Sequence, residues 1–235
     1  MRPRTACTEI APFADSVWTA STPIRFAGVW FPHVMTVVRL SGGDLLLHSP
    51  CRPSDTLIRE IAGLGDVAHV VAPNWFHDLY LREYRALYPK ALFWAPAFLQ
   101  RRRRRIIDRV LENGAQPPWF AEMPYLSLRG LMTFDECVFF YVPSRTLVVA
   151  DLAMNFRATE KLPWYTRLIA RLFRLDGSLK AFQLLWLLGP KNRIVLRKAV
   201  LQMLEWNPDG MIVGHGRPIE GEVAAQLRSA FRWLL

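Results

Sequence analysis

The chain has 235 residues, 51% of them hydrophobic. That is enough for one large domain or two small ones with a substantial core, and it excludes a disordered chain. The formal net charge of +10 favours anionic partners (nucleic acid, phosphorylated small molecules, an acidic membrane surface) or reflects surface arginine alone. Three cysteines, Cys7, Cys51 and Cys137, with no C-x-x-C, argue against a disulfide framework and a structural zinc knuckle and fit a reducing compartment.

The N-terminal "MRPRTACTEIAPFADSV" lacks an apolar h-region. The longest apolar stretch, near "AFQLLWLLG", is far short of the ~20 residues of a spanning helix. A cytoplasmic protein is the expectation. The first fifty residues read as strands: "SVWTAS", then "VMTVVRL", a hairpin turn at "SGGD", and the returning "LLLHSP". "SDTLIREIAGLG" reads as a helix with Ser54 as N-cap and Gly63 and Gly65 at its end. "VAHVVAP" is a buried strand. "FHDLYLREYRALYP" is helical, with Phe76, Tyr80, Tyr84 and Leu87 on one face, and "ALFWAP" is the next strand. This strand–helix–strand passage predicts parallel pairing.

"FLQRRRRRIIDRVLENG" reads as a helix with a basic face. Its run Arg101, Arg102, Arg103, Arg104 and Arg105 is either a solvated face or an anion-binding patch for nucleic acid, phosphate or anionic lipid. "ECVFFYVPSRTLVVADLAMN" is two strands about a turn at Pro143-Ser144-Arg145. Residues 163–205 read as helical in two pieces, broken at Gly189-Pro190. The part from 163 to 190 alternates arginine with large apolar groups. It suits a helix pair on a sheet, a lid or a membrane-surface element. "GMIVGHG" is a last strand and "EVAAQLRSAFRWLL" a closing helix.

Three of the five histidines, His48, His77 and His215, fall at or just past the predicted C-terminal end of a strand, and so does Asp151. Sites form at such ends, where loops converge on a rigid scaffold. Imidazoles and a carboxylate there suit Zn²⁺ or Fe²⁺ if they meet in space; singly, each histidine serves as an ordinary hydrogen-bonding group.

The order of a His77 corner after a strand, "SRTLVVAD" ending at Asp151, and "MIVGHG" with His215 resembles the metallo-β-lactamase fold. There the first motif is H-x-H-x-D-H, a further histidine precedes a hairpin, an aspartate ends it, and a last histidine sits in "GHG". More closely, "RLSGGDLLLHSP", "VAPNWFHDLYL", "VPSRTLVVADLAMN" and "WNPDGMIVGHG" resemble the DUF4336 branch, a domain of unknown function. The resemblance implies an α/β chain: one metallo-β-lactamase-like αβ/βα sandwich of two mixed β-sheets flanked by helices, spanning residues 1–235. It sets His77 on the last histidine of the first motif, and puts Ala72, Asn74 and Phe76 where the first histidine, the second histidine and the aspartate belong. "LMTFDE" (131–136) has no histidine. The first metal site is therefore lost, and His77, Asp151 and His215 remain as a one-metal set, with Asp78 and His48 as further candidates.

Three functions follow as expectations. One is a metal-dependent hydrolase with a single Zn or Fe ion, a metal-bound water as nucleophile and a small anionic substrate. The second is a binding module that keeps the pocket and holds no metal. The third is a mononuclear iron redox protein.

Overall fold

The computed structural model describes residues 10–26, 29–129, 135–156, 164–165, 168, 177–182 and 190–235. Strands β1 (Ala11–Ala14), β2 (Val17–Phe26), β3 (Val29–Arg39) and β4 (Leu45–His48) form an antiparallel meander. The β3–β4 turn closes where Gly43, at φ +91°, takes a conformation open to glycine at little cost. Helix α1 (Asp55–Leu64) follows, and its first turn is capped by the Ser54 side chain, which accepts from Leu57 N–H. Then come β5 (Val67–Val71), a 3₁₀ turn (Trp75–His77), helix α2 (Leu81–Leu87), β6 (Leu92–Pro96), helix α3 (Ala97–Arg102) and β7 (Arg109–Leu111). From β4 onward each strand pairs parallel with the next, giving a seven-stranded sheet in sequence order.

The second half supplies β8 (Tyr125–Leu128), β9 (Glu136–Tyr141), β10 (Thr146–Val148), the small pair β11 (Ala153–Met154) and β12 (Lys180–Ala181), helix α4 (Pro190–Glu205), β13 (Gly210–Ile212), β14 (Ile219–Glu220) and helix α5 (Val223–Ala230). Five of these strands form a mixed sheet in the order β14-β13-β10-β9-β8.

Side-chain alternation sorts the core into layers. Val34 and Val38 of β3 meet Phe139, Tyr141, Val148 and Ile212 of the other sheet, so one apolar layer lies between the sheets. Met35 and Val37, the alternate residues, join Leu57, Ile61, Tyr84 and Leu99 under helices α1–α3. The outer face of the second sheet is covered by Leu196, Val200 and Met203 of α4 and Val223 and Leu227 of α5. The layers run helix, sheet, sheet, helix.

Tertiary contacts override two expected helices. The helix expected from Phe76 onward does not start there. The Asn74 side chain accepts from both Phe76 N–H and His77 N–H, winding a tight 3₁₀ turn, and the α-helix begins four residues after His77. Its buried residues are Leu81 and Tyr84, while Leu87 is 40% exposed. The expected long basic helix ends at Arg102. Arg85 binds the Ile106 carbonyl and the Asp108 carboxylate, and that carboxylate also accepts from Phe93 N–H. These anchors draw residues 109–111 onto the sheet edge as β7, beyond what helix propensity alone can oppose. Lys180–Ala181, expected as helix, is strand. Most of residues 163–190, with the lid and membrane-surface expectations, lies outside the described residues, as do Cys7 and positions 131–134. Cys51 and Cys137 are free and buried. Among the described residues, no helix is long and apolar enough to cross a membrane.

Candidate metal centre

His77, Asp151 and His215 meet at one end of the sandwich. One donor atom from each lies within 4.8 Å of the other two, and all three residues are buried. Each arrives by a different route. The capped 3₁₀ turn after β5 turns His77 inward. Asp151 follows β10 by three residues. His215 follows β13, in a loop laced to both sheets by Gly214: its N–H donates to Ala150 O at 3.0 Å, and its carbonyl accepts from Val34 N–H at 2.9 Å.

The glycines flanking His215 are required by space. A Cβ at Gly214 would lie 2.7 Å from His77 Cε1 and 2.8 Å from Ala150 O. Gly216 sits at φ +128°, and a Cβ there would stand 2.1 Å from Asn155 O. The "GHG" spacing thus lets His215 and His77 approach, with ring centroids 5.1 Å apart.

The ring nitrogens are set by their partners. His215 Nδ1–H donates to Pro32 O at 2.7 Å, and its Nε2 lies 3.0 Å from Asp151 Oδ1. Burial lowers the His215 pKa, and the hydrogen bond and charge of Asp151 outweigh that to leave it raised. Asp151 is held well below the usual carboxylate range: burial pushes it up, and the facing His77 and His215 push it down further. His77 Nδ1 hydrogen-bonds with Ser49 Oγ. His77 Nε2 lies 3.3 Å from Asp151 Oδ2 without hydrogen-bond geometry, and is a buried nitrogen with no hydrogen-bond partner. Leaving such a group unpaired costs about 1–3 kcal/mol; His33 Nδ1 and His48 Nε2 share that state, and what sets His77 Nε2 apart is the carboxylate it faces.

Two further residues complete the surroundings. Asn74 Nδ2 donates to Asp151 Oδ2 at 2.8 Å and to Glu136 Oε2 at 3.1 Å. Glu136, at the start of β9 and fully buried, accepts from the backbone N–H groups of Ala150, Asp151 and Leu152 at 2.9, 2.9 and 3.2 Å. It fixes the turn that carries Asp151. Burial, and then the facing Asp151, push its carboxyl up to about 7. Sequence reading passed over Glu136. Its only signal was a carboxylate opening an otherwise apolar strand.

The other candidates stand apart. Asp78 follows the 3₁₀ turn, is paired with Arg103, whose Nε lies 2.6 Å from its Oδ2, and is outside the cluster of donor atoms. His48 is buried with its ring edge-on to Phe139 at 5.2 Å, inside the apolar layer, and is outside the cluster of donor atoms. Burial, and then the charge on His77, lower its pKa to about 3. The arginine run is not one helix face. Arg101 and Arg102 end α3, Arg102 lies over Phe98 and Trp75 at 4.6 and 5.5 Å, and Arg103 is paired with Asp78. Of the positions where the resemblance implies lost ligands, Ala72 is buried under the helices, Phe76 packs against the second-sheet core, and Asn74 holds the two carboxylates.

The model of the DUF4336 family, a domain of unknown function, matches residues 14–171. No curated protein sequence matches the chain. Solved structures of metallo-β-lactamase fold superpose along nearly its whole length. The DIM-1 metallo-β-lactamase is 10% identical, with a TM-score of 0.68 and 98% of each chain covered. FIM-1 from Pseudomonas aeruginosa, in its mono-zinc form, is 12% identical, with a TM-score of 0.65 and 100% of each covered. The chemotaxis sensor ODP, in a peroxy diiron species, is 14% identical, with a TM-score of 0.59 and 96% of this chain and 93% of that one covered.

Proposed function

The chain belongs to the DUF4336 family and has the metallo-β-lactamase fold; from that premise we propose that it is a hydrolase dependent on one metal ion, Zn²⁺ or Fe²⁺, held by His77, Asp151 and His215. The observation that carries this reading is His77 Nε2: a buried nitrogen, aimed at a carboxylate, with no hydrogen bond. A cation between the two satisfies both. Two imidazoles and a carboxylate are a donor set that suits either ion and leaves coordination positions open.

A metal in this place would supply an activated water and polarise a carbonyl or phosphoryl oxygen. The protein groups do the rest. His215 presents Nε2 because its Nδ1–H donates to Pro32 O. Asp151 keeps its charge. Asn74 and Glu136 hold Asp151 from the other side.

An anionic substrate suits the neighbouring surface. A groove of about 310 Å³ is lined by Asp78, Leu79, Arg82, Arg103 and Ile106 and begins one residue after His77. Arg103 is oriented by Asp78, and Arg82 makes no ion pair among the described residues. Asp78 offsets one of the two guanidinium groups, and the charge left by Arg82 favours a phosphate or carboxylate over a neutral ligand.

The test is metal analysis of tag-free protein, followed by loading with Zn²⁺ or Fe²⁺ under anaerobic conditions. About one ion per chain, lost in both His77→Ala and His215→Ala, supports the reading; no ion under either loading sinks it. Hydrolysis of anionic esters by the Zn²⁺ form, against oxygen consumption by the Fe²⁺ form, separates hydrolase from redox protein.

A further inference from the structure

His77 is held from behind by two residues that give nothing to the cluster of donor atoms. Ser49 ends the passage after β4 in a left-handed conformation, φ +58°, that a serine adopts only at a cost. That conformation brings its hydroxyl between two rings: Oγ hydrogen-bonds with His77 Nδ1 and lies 3.2 Å from His33 Nε2. His33 also lies with Nε2 at 3.3 Å from Ser49 O. Its ring stacks on His77, with centroids 4.7 Å apart and planes 29° apart. Ser49 and His33 are fully buried. Its Nε2 meets only a hydroxyl and a carbonyl, its Nδ1 has no hydrogen-bond partner, and no carboxylate among the described residues pairs with it, so the buried ring of His33 is held neutral.

A neutral imidazole carries one ring proton, so the three residues have two self-consistent arrangements. In the first, His33 Nε2–H donates to the serine, Ser49 O–H donates to His77 Nδ1, and the proton of His77 sits on Nε2. In the second, His77 Nδ1–H donates to Ser49 Oγ, Ser49 O–H donates to His33 Nε2, and the proton of His33 sits on Nδ1. The protein alone favours the first, in which His33 Nε2–H faces Ser49 O, which can only accept, and His77 Nε2–H faces Asp151 Oδ2 at 3.3 Å. A cation reverses this, since only the second leaves the His77 Nε2 lone pair bare.

We propose that Ser49 and His33 form a proton relay that sets the tautomer of His77, so that loading the centre with metal moves the ring proton of His33 from Nε2 to Nδ1. On metal binding the Nε2 proton of His77 is displaced to solvent, a proton steps from His33 Nε2 through Ser49 Oγ to His77 Nδ1, and His33 Nδ1 takes one from solvent, so the net charge of the three residues is unchanged. Ser49 and His33 are positioning residues, acting on the centre through His77. Partners of this kind on a ligating histidine are worth about 10–100-fold in metal affinity. The inference rests on the metal reading above.

The experiment is two-bond ¹H–¹⁵N correlation of the tag-free, ¹⁵N-histidine-labelled full chain during titration with Zn²⁺. The expected result is that His33 Nε2 changes from protonated to accepting as Zn²⁺ binds. In Ser49→Gly, which suits the left-handed backbone, His33 should not respond, and Zn²⁺ affinity should fall about tenfold. Wild-type protein that binds Zn²⁺ with His33 unchanged overturns the relay and leaves the metal reading intact. Wild-type protein that binds neither Zn²⁺ nor Fe²⁺ overturns both. If Ser49→Gly does not fold, the wild-type titration still decides.

Discussion

Replacing Glu136 by glutamine tests whether its carboxylate organises the turn that carries Asp151. The two oxygens divide four donors: Oε1 accepts from Ala150 and Leu152 N–H, and Oε2 accepts from Asp151 N–H and Asn74 Nδ2. A glutamine amide must set its NH₂ against one of these pairs, and flipping it only exchanges the pair. Two buried donors lose their acceptor either way. At about 1–3 kcal/mol each, Glu136→Gln should lower stability by roughly 2–6 kcal/mol. Urea denaturation near pH 8.5, above the value of about 7 to which burial and Asp151 push this carboxyl, keeps the wild type in its ionised form. At a denaturant slope of about 3 kcal/mol per M, the midpoint should fall by roughly 0.7–2 M. A glutamine variant within about 0.5 kcal/mol of wild type, the range of an ordinary surface change, would refute the reasoning.

Asn74→Asp keeps an oxygen to cap the 3₁₀ turn and turns the donating NH₂ into a third carboxylate oxygen beside Glu136 and Asp151. Without metal its melting temperature should fall below that of wild type, and Zn²⁺ should raise it more than it raises wild type; equal melting of the two apo proteins would count against the assigned contacts. His48→Leu probes acid sensitivity. Burial, then His77, hold the folded pKa of His48 near 3 against an unfolded value near 6.5. The neutral ring therefore contributes stability that is complete above about pH 6.5 and lost as pH falls toward 3. The variant's stability should decline on acidification less steeply, by up to about 1.4 kcal/mol per pH unit in that window; parallel curves would show that His48 does not control the slope. Arg82→Glu, in metal-free protein, should abolish most of the rise in melting temperature that phenyl phosphate gives wild type. An equal rise in both proteins would place anion binding outside the groove.

Where local signals and tertiary packing agree, the sequence is legible. The β3–β4 hairpin, the Ser54 cap, the parallel β5–β6 pairing and the hairpin at Pro143–Arg145 all follow from turn residues and apolar runs that the packed layers then bury. His77, Asp151 and His215 stood out in the sequence through strand-end positions, which His48 shares, and through the family resemblance; the close approach of Gly214 to His77 is visible only in the fold. The failures lie where side chains reach across the chain. Nothing local in "RRRRRIIDRVL" reports that Arg85 and Asp108 will pull it into a strand. His33 looks like one more residue of a long strand until Ser49, sixteen residues on, turns its hydroxyl between two rings. Glu136 and Asn74 are polar residues whose partners lie 14 and 77 positions away.

Asn74 also bears on how many ions the centre can hold. Its oxygen is committed to Phe76 and His77 N–H, so the amide cannot rotate, and its nitrogen must face the carboxylates of Asp151 and Glu136. The two hydrogens of that nitrogen do for this pair what a cation would do: they place positive charge between two groups that otherwise repel. A second ion at this side of Asp151 would have to displace a fixed amide, and no imidazole stands ready there, since Ala72 and Phe76 carry no donor atom. On the opposite side, His77 Nε2 and His215 Nε2 converge on the same carboxylate at 3.3 and 3.0 Å, and His77 Nε2 has no hydrogen-bond partner. One side is filled by a neutral donor and the other holds a buried nitrogen with no hydrogen-bond partner, which favours the proposed single ion over a pair.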